Sequence, residues 1–244
     1  VPNPIAVTLH ASAAEAGSGQ AAASDLGELR NACELVLEVL SGTGSLVVTL
    51  ETAPSSSGPW RSQGAFPAFT APGRAELAFA ATGRFVRAAW TIVTGPWQFD
   101  LRGLGHVIYV TPQDLAGSSL TTKALENVSQ DVKARACIAA SDEADGYLAS
   151  RYTLPLLQWP SDFRRKVGHV AGYEVLKQKG FQPQGSDEVV LLERDNAVKW
   201  LVRVSSGSVS PPGIVDSTPL KRGSAPRIAS YPSRGWREET SEDD

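Results

Sequence analysis

Apolar and polar positions alternate with a period of two through much of residues 35–101. Leu35, Leu37 and Val39 share one phase, and Val36, Glu38 and Leu40 the other. The turn-forming run Ser41–Gly44 follows, and then the β-branched stretch Leu46–Thr52. Two strand-like runs around a short glycine-containing loop predict a hairpin. Pro54–Pro59 is a Ser/Gly/Pro turn cluster, Trp60–Phe69 a short aromatic run, and Pro72–Gly73 another turn. Arg74–Ala80 and Arg84–Val93 read as strands around Ala81–Thr82–Gly83, and Gly95–Pro96 leads into Trp97–Leu101. Short strands punctuated at fairly regular intervals predict an all-β sandwich or small barrel over residues 1–106. Within it, the Ala/Ser/Gly-rich stretch Ala11–Ser24 reads as a loop with little to bury.

The period then changes. Thr111 followed by Pro112–Leu115 predicts a single helical turn with a threonine cap. From Ser129 apolar residues recur at three- and four-residue steps, through Val132, Ala136, Ala140, Ala144 and Leu148, with Pro155 at or beyond the end. A second helix is predicted over Ser161–Lys179, with Phe163, Val167, Val170, Ala171, Val175 and Leu176 as its buried stripe and Gly180 closing it. A third is predicted over Ser186–Ser205, burying Val189, Val190, Leu192, Ala197, Trp200, Leu201 and Val204. The expected fold class is therefore α+β: a β-sandwich (1–106), a small helical bundle (107–210) and an extended C-terminal arm (211–244). The arm is rich in Pro, Ser and Gly. Its Lys221, Arg222, Arg227, Arg234 and Arg237 precede an acidic end, and it has too few large apolar residues to fold alone.

Composition narrows the function. A net charge of −3 over 244 residues supplies no basic face of the kind that grips nucleic acid. No run approaches the roughly 18 apolar residues of a membrane span, and the start Val-Pro-Asn-Pro-Ile lacks the pattern of a signal peptide. The absence of methionine even at position 1 implies a removed initiator. Cys33 and Cys137 are two isolated thiols, which read as small buried apolar side chains in a reducing cytoplasm.

Candidate chemistry is sparse. His10, His106 and His169 are scattered without metal-ligand spacing, and no nucleophile elbow or phosphate loop is present. Asp142, Glu143 and Asp145 fall on about one helical turn and read as a solvated or ion-paired face. No enzyme, cofactor or metal site is expected. Gly146 costs about 1 kcal/mol inside a helix relative to alanine, which is repaid where a neighbour must come close. Tyr147, Arg151 and Tyr152 at the end of that helix suit either internal packing, with Arg151 ion-paired to Asp145 or another carboxylate, or a subunit interface, where Tyr and Arg are favoured. Arg164-Arg165-Lys166 opens the second helix, where the helix dipole prefers acids. A solvated face is the simplest reading, and an acidic partner surface the next.

Several of these pieces also carry a resemblance. They are Tyr109-Val110-Thr111-Pro112-Gln113-Asp114-Leu115, the run Asp145-Gly146-Tyr147-Leu148-Ala149-Ser150-Arg151-Tyr152-Thr153-Leu154-Pro155, Trp159-Pro160, Ala171–Leu176 and Ala197–Val209. Together they resemble the Mu-like phage neck family, within the head–tail connector superfamily, over residues 107–210 but not over the β half or the arm. The resemblance implies a non-enzymatic virion protein of the phage neck, assembled in the host bacterial cytoplasm. It would form a ring of about twelve copies that docks on the portal protein and meets a tail terminator or other neck protein. DNA would pass through without being specifically bound. The β half would reach toward capsid or collar. The arm would clip onto the portal or a neighbouring copy through Ile214, Trp236 and the arginines. Tyr147, Arg151, Tyr152, Arg164, Arg165, Ile214, Lys221, Arg222, Arg227 and Trp236 are the candidate partner-binding residues. A recognition module of another class competes with this reading. In it the sandwich binds carbohydrate or capsid through Trp60, Trp90 and Trp97, and the helices are accessory.

Overall fold

A computed structural model of the chain describes residues 4–118, 120–180 and 187–218. The N-terminal half is a β-sandwich of two antiparallel sheets. The strands are β1 (Ile5–Glu15), β2 (Gly19–Gln20), β3 (Ser24–Asp25), β4 (Ala32–Gly42), β5 (Leu46–Ala53), β6 (Arg61–Ala65), β7 (Gly73–Ala80), β8 (Phe85–Ile92) and β9 (Trp97–His106). One sheet runs β1-β9-β4-β7. The other runs β2-β8-β5-β6, with β3 also on β8. Leu35, Leu37 and Val39 from the first sheet meet Val48, Leu50, Val86 and Ala88 from the second in a shared core.

Two expectations change here. β4 and β5 do not form a hairpin: β4 pairs with β7 and β9, and β5 with β6 and β8. Both strands carry an apolar phase that must face the same core, and they satisfy it from opposite sheets. The chain crosses between the sheets just after Gly42. A Cβ at Gly42 would lie 2.1 Å from the ring of Trp97, which is fully buried. Likewise Ala11–Ser24 is not a free loop. Its first residues complete the 11-residue strand β1 against β9, and the rest contributes β2 and β3 to the edge of the second sheet. The lack of large apolar side chains that makes the stretch read as a loop fits its surroundings, since Ala11–Ala14 are exposed on both faces of an edge strand.

The helices are α1 (Thr122–Leu125), α2 (Gln130–Leu148), α3 (Ser161–Lys179) and α4 (Glu188–Ser205). α2 starts on the Ser129 cap, whose side chain accepts from the Val132 N–H, and Gly180 closes α3 in the left-handed conformation. The predicted stripe of α3 is buried throughout. Residues 112–115 form hydrogen-bonded turns, in which the Asp114 N–H donates to the Thr111 carbonyl and the Asp114 carboxylate accepts from the Thr111 N–H and hydroxyl. On α4, Val190, Ala197, Leu201 and Val204 are buried, but Val189 and Leu192 are 61% and 58% exposed. Those two lie on the outer side of the helix, away from α3. No described helix is long and apolar enough to cross a membrane.

The junction between the halves is buried. Val107, Ile108, Tyr109 and Val110 all belong to the helical core, which also takes in Ala32 and Ala78 from the outer face of the first sheet. Asn31 acts as a substitute strand. Its amide donates to the Ile108 carbonyl at 3.0 Å and accepts from the Ile108 N–H at 2.7 Å. α2 lies over β7 and β4, and its Asp131 accepts from the Ala78 N–H at 2.6 Å, covering part of the open edge of β7. Arg135, one turn on, pairs with Asp131, Glu34 and Glu76. Replacing Asn31 with Ala leaves the buried Ile108 N–H and C=O unpaired. The expected loss is about 1–3 kcal/mol for each orphaned group, read as a lower urea midpoint at unchanged slope. An unchanged midpoint would show that the junction does not depend on this pair.

Candidate functional site

The residues that carry the resemblance converge on Tyr109. Its ring is buried edge-on against Trp159 and Phe163. Its N–H donates to the Ser141 hydroxyl at 3.0 Å, and its carbonyl accepts from the Trp159 indole at 3.1 Å. Its hydroxyl donates to Asp145. α2 supplies Ser141 and Asp145 one turn apart on the same face, so both can reach a single residue. Asp145 is only 1% exposed, which corrects its reading as part of a solvated acidic face. Burial pushes its carboxyl up to about 6, against the opposing pull of the Tyr109 hydrogen bond, and burial with the neighbouring Asp145 charge raises the Tyr109 phenol. His106, buried in the adjoining crevice that Asp142 also lines, is held below its ordinary value by burial.

A second junction lies at the end of α2. The Arg151 guanidinium donates to the carbonyls of Val204 and Val209 at 2.8 and 2.9 Å, and to the Ser210 hydroxyl at 2.7 Å. It therefore caps the C-terminus of α4, where the unpaired carbonyls favour a cation. The ion pair expected with Asp145 does not form. Tyr152 lies 5.3 Å beneath the guanidinium, and Tyr147 and Tyr152 are half-buried against the helical core. The chain then returns across this end. Val215 pairs with Gln158, and Ser217 and Asp216 bond Thr153. Ile214 is turned inward onto the same core.

Of the candidate partner-binding residues, Tyr147, Arg151, Tyr152 and Ile214 thus gather at one end of the helical half, engaged within the chain. Arg164 and Arg165 stand apart, exposed on the first turn of α3 beside a crevice lined by Gln113, Gly117, Ser118 and Ser161. Lys221, Arg222, Arg227 and Trp236 lie outside the described residues. Gly146 is exposed, and an added Cβ there would meet nothing within 4 Å, so no close neighbour among the described residues requires it. The tryptophans form no platform. Trp97 and Trp90 are in the sandwich core, and Trp60 lies 4.2 Å under the Arg87 guanidinium. Sequence reasoning missed Asn31, Asp131 and Arg135. An asparagine just before a strand, and charges at i and i+4 on a helix that also needs a buried face, are the faint signals they left.

Among the described residues no group of three His, Cys, Asp or Glu side chains is placed to hold a metal. His169 is buried and bonds Glu193 at 3.1 Å, tying α3 to α4. His10 is buried between Trp90 and Phe99 and bonds the Phe99 carbonyl. Cys33 and Cys137 are buried free thiols, pushed up to about 12 by burial.

These features define a class: a β-sandwich joined through a buried, hydrogen-bonded junction to a small helical bundle. Residues 109–229 match the family model described as Bacteriophage Mu, Gp36. The match begins on Tyr109 itself and runs into the arm, beyond the residue-210 limit expected for the resemblance. It supports a phage structural, virion-related protein. The crystal structure of the PBSX exported protein XepA is similar at 12% identity and a TM-score of 0.34, covering 42% of this chain and 37% of that one. The crystal structure of the SPBc2 prophage-derived protein YomS is similar at 14% identity and a TM-score of 0.32, covering 43% and 95%. No curated protein matches the chain in sequence.

Two outcomes follow from this geometry. Asp145 has a folded-state pKa of about 6 against an ordinary 3.8, so its own contribution to stability is full below pH 4 and is lost as pH rises to 6. The size is about 3 kcal/mol at 1.36 kcal/mol per unit. His106, depressed, acts in the opposite sense. In Asp145→Asn an amide oxygen still accepts from Tyr109 without a buried charge. Its stability relative to the parent should therefore rise between pH 4 and 7, and parallel denaturation curves across that range would show that Asp145 does not titrate there. Arg151→Ala should cost about 1–3 kcal/mol by removing the charged hydrogen bonds to Val204, Val209 and Ser210, although the Val204 carbonyl keeps the Gly207 N–H. Arg151→Lys should recover only part of that, because an ammonium cannot span three acceptors as the guanidinium fork does.

Proposed function

We propose that the chain is a head–tail adaptor of a tailed phage, a neck protein that docks on the portal as a ring of about twelve copies and continues the DNA channel toward the tail. The observation that carries this reading is the family match over 109–229, on a stretch whose defining residues fold as one unit around Tyr109. The outer side of α4 adds support. Val189, Leu192 and Val202 are exposed apolar residues on a single helix, a surface that neighbouring copies in a closed ring would cover. The sandwich, fixed to the bundle through Asn31 and Arg135, would stand at the rim toward capsid or collar. Lys221, Arg222, Arg227 and Trp236 of the arm would reach the portal or the next copy, and a tail terminator or other neck protein would follow on the opposite face. The sugar-platform reading is not carried further, since two of its three tryptophans are core residues.

Native mass spectrometry of the chain mixed with its own portal ring tests this directly. One copy bound per portal subunit is the expected result. A folded chain that leaves the portal mass unchanged at micromolar concentration would sink the adaptor reading.

A further inference from the structure

The charges of this chain are unevenly placed. Arg164-Arg165-Lys166 is the one run of three adjacent cations in the sequence, and Glu238-Glu239-Thr240-Ser241-Glu242-Asp243-Asp244 is its densest acidic window. The cationic run sits on the first turn of α3, where the helix dipole disfavours it by about 0.3–1 kcal/mol per charge. Local compensation is slight. Asp162 approaches Arg165 at 3.8 Å with both side chains well exposed, and an exposed pair of this kind contributes little. The α3 N-terminus has no side-chain cap, since Pro160 occupies that position. Beside Arg164 and Arg165 lies the crevice of Gln113, Gly117, Ser118 and Ser161. Its one carboxylate, Asp114, is already engaged by Thr111.

We propose that the acidic end of this same chain, residues 238–244, docks on Arg164 and Arg165 and the adjoining crevice. Three arguments favour this occupant. Residues 1–218 hold 18 Lys and Arg against 21 Asp and Glu, a net charge of −3, so an acidic segment is disfavoured over most of that surface and drawn to its run of three cations. The last described residues, Asp216–Thr218, are held on Thr153, a few residues before α3 begins at Ser161. Residues 219–237 then span at most about 65 Å, more than the diameter expected of a body this size. A tethered segment also acts at an effective concentration in the millimolar range, so weak charge pairing suffices. The end of the chain shields the arginines until an acidic partner surface displaces it. This inference stands apart from the adaptor reading, and either can fail without the other.

The test uses the full chain carrying Ser241→Cys and a nitroxide spin label. Cys33 and Cys137 are buried and do not compete for the label. At low salt the amide resonances of residues 161–168 and 113–118 should lose about half their intensity or more. The loss should vanish at 0.5 M NaCl, where screening acts within about 5 Å, and in Arg164→Glu/Arg165→Glu, whose exposed positions leave the fold intact. Mixing labelled unenriched chain with unlabelled isotope-enriched chain should give no broadening. Broadening located elsewhere, for example confined to the arm's own basic residues, would overturn the proposal. So would broadening that appears in the mixed sample, since that places the segment on a second copy.

Discussion

Tyr109 is the residue on which the helical half closes. Its N–H, carbonyl and hydroxyl are each satisfied by a different side chain, two from α2 and one from the segment entering α3. Its ring fills the space between Trp159 and Phe163. A buried backbone group left unpaired costs about as much as a lost hydrogen bond, so the three partners and the tyrosine specify one another. The distance from β9 to α2 is set by the same arrangement, because Tyr109 lies in the chain segment that joins them.

That segment makes the two halves one mechanical body. A linker between domains is ordinarily exposed and polar. Here residues 107–110 are buried, Asn31 holds Ile108 as a strand would, and Asp131 and Arg135 fasten α2 to the sheet. The helical core draws Ala32 and Ala78 out of the sandwich, so neither half finishes its core alone. Small side chains explain the fit. Ala134, Ala136, Ala140 and Ala144 let α2 be buried on several sides at once, between the sheet and the other helices. That is also why its apolar positions form a broad arc and not a narrow stripe.

Periodicity was a good guide where one face decides the structure. On α3 the apolar steps mark the helix limits and a buried stripe, although Gly168, His169 and Gly172 are buried as well, so that Val167–Gly172 are enclosed on every side. It was a poor guide at the sheet edges and on α4. From Ala11 on, β1 carries only small and polar residues and is exposed on both faces, and Val189 and Leu192 are apolar without being buried. The partner sheet of β5 was not legible either. Alternation reports which phase of a strand is buried, but not whether the neighbour in sequence is the neighbour in space. The motif around Asp145 was recognisable, yet its role as a hydrogen-bond partner was not, since that depends on Tyr109, 36 residues earlier in the chain. Arg151 stood out as a candidate by residue type, and only the fold reveals that its donors are spent on carbonyls.

The burial of both cysteines has a consequence for chemical durability. A thiol reacts with oxidants and disulfides as its thiolate. With Cys33 and Cys137 each pushed up to about 12, about one in 10⁵ of either is ionised at pH 7. Neither sulfur is reachable from solvent, one lying inside the sandwich and the other inside the bundle. A chain assembled in reducing surroundings and then released into oxygenated ones would keep the same covalent structure, with no cross-link formed between copies and no sulfur lost to oxidation while the fold holds.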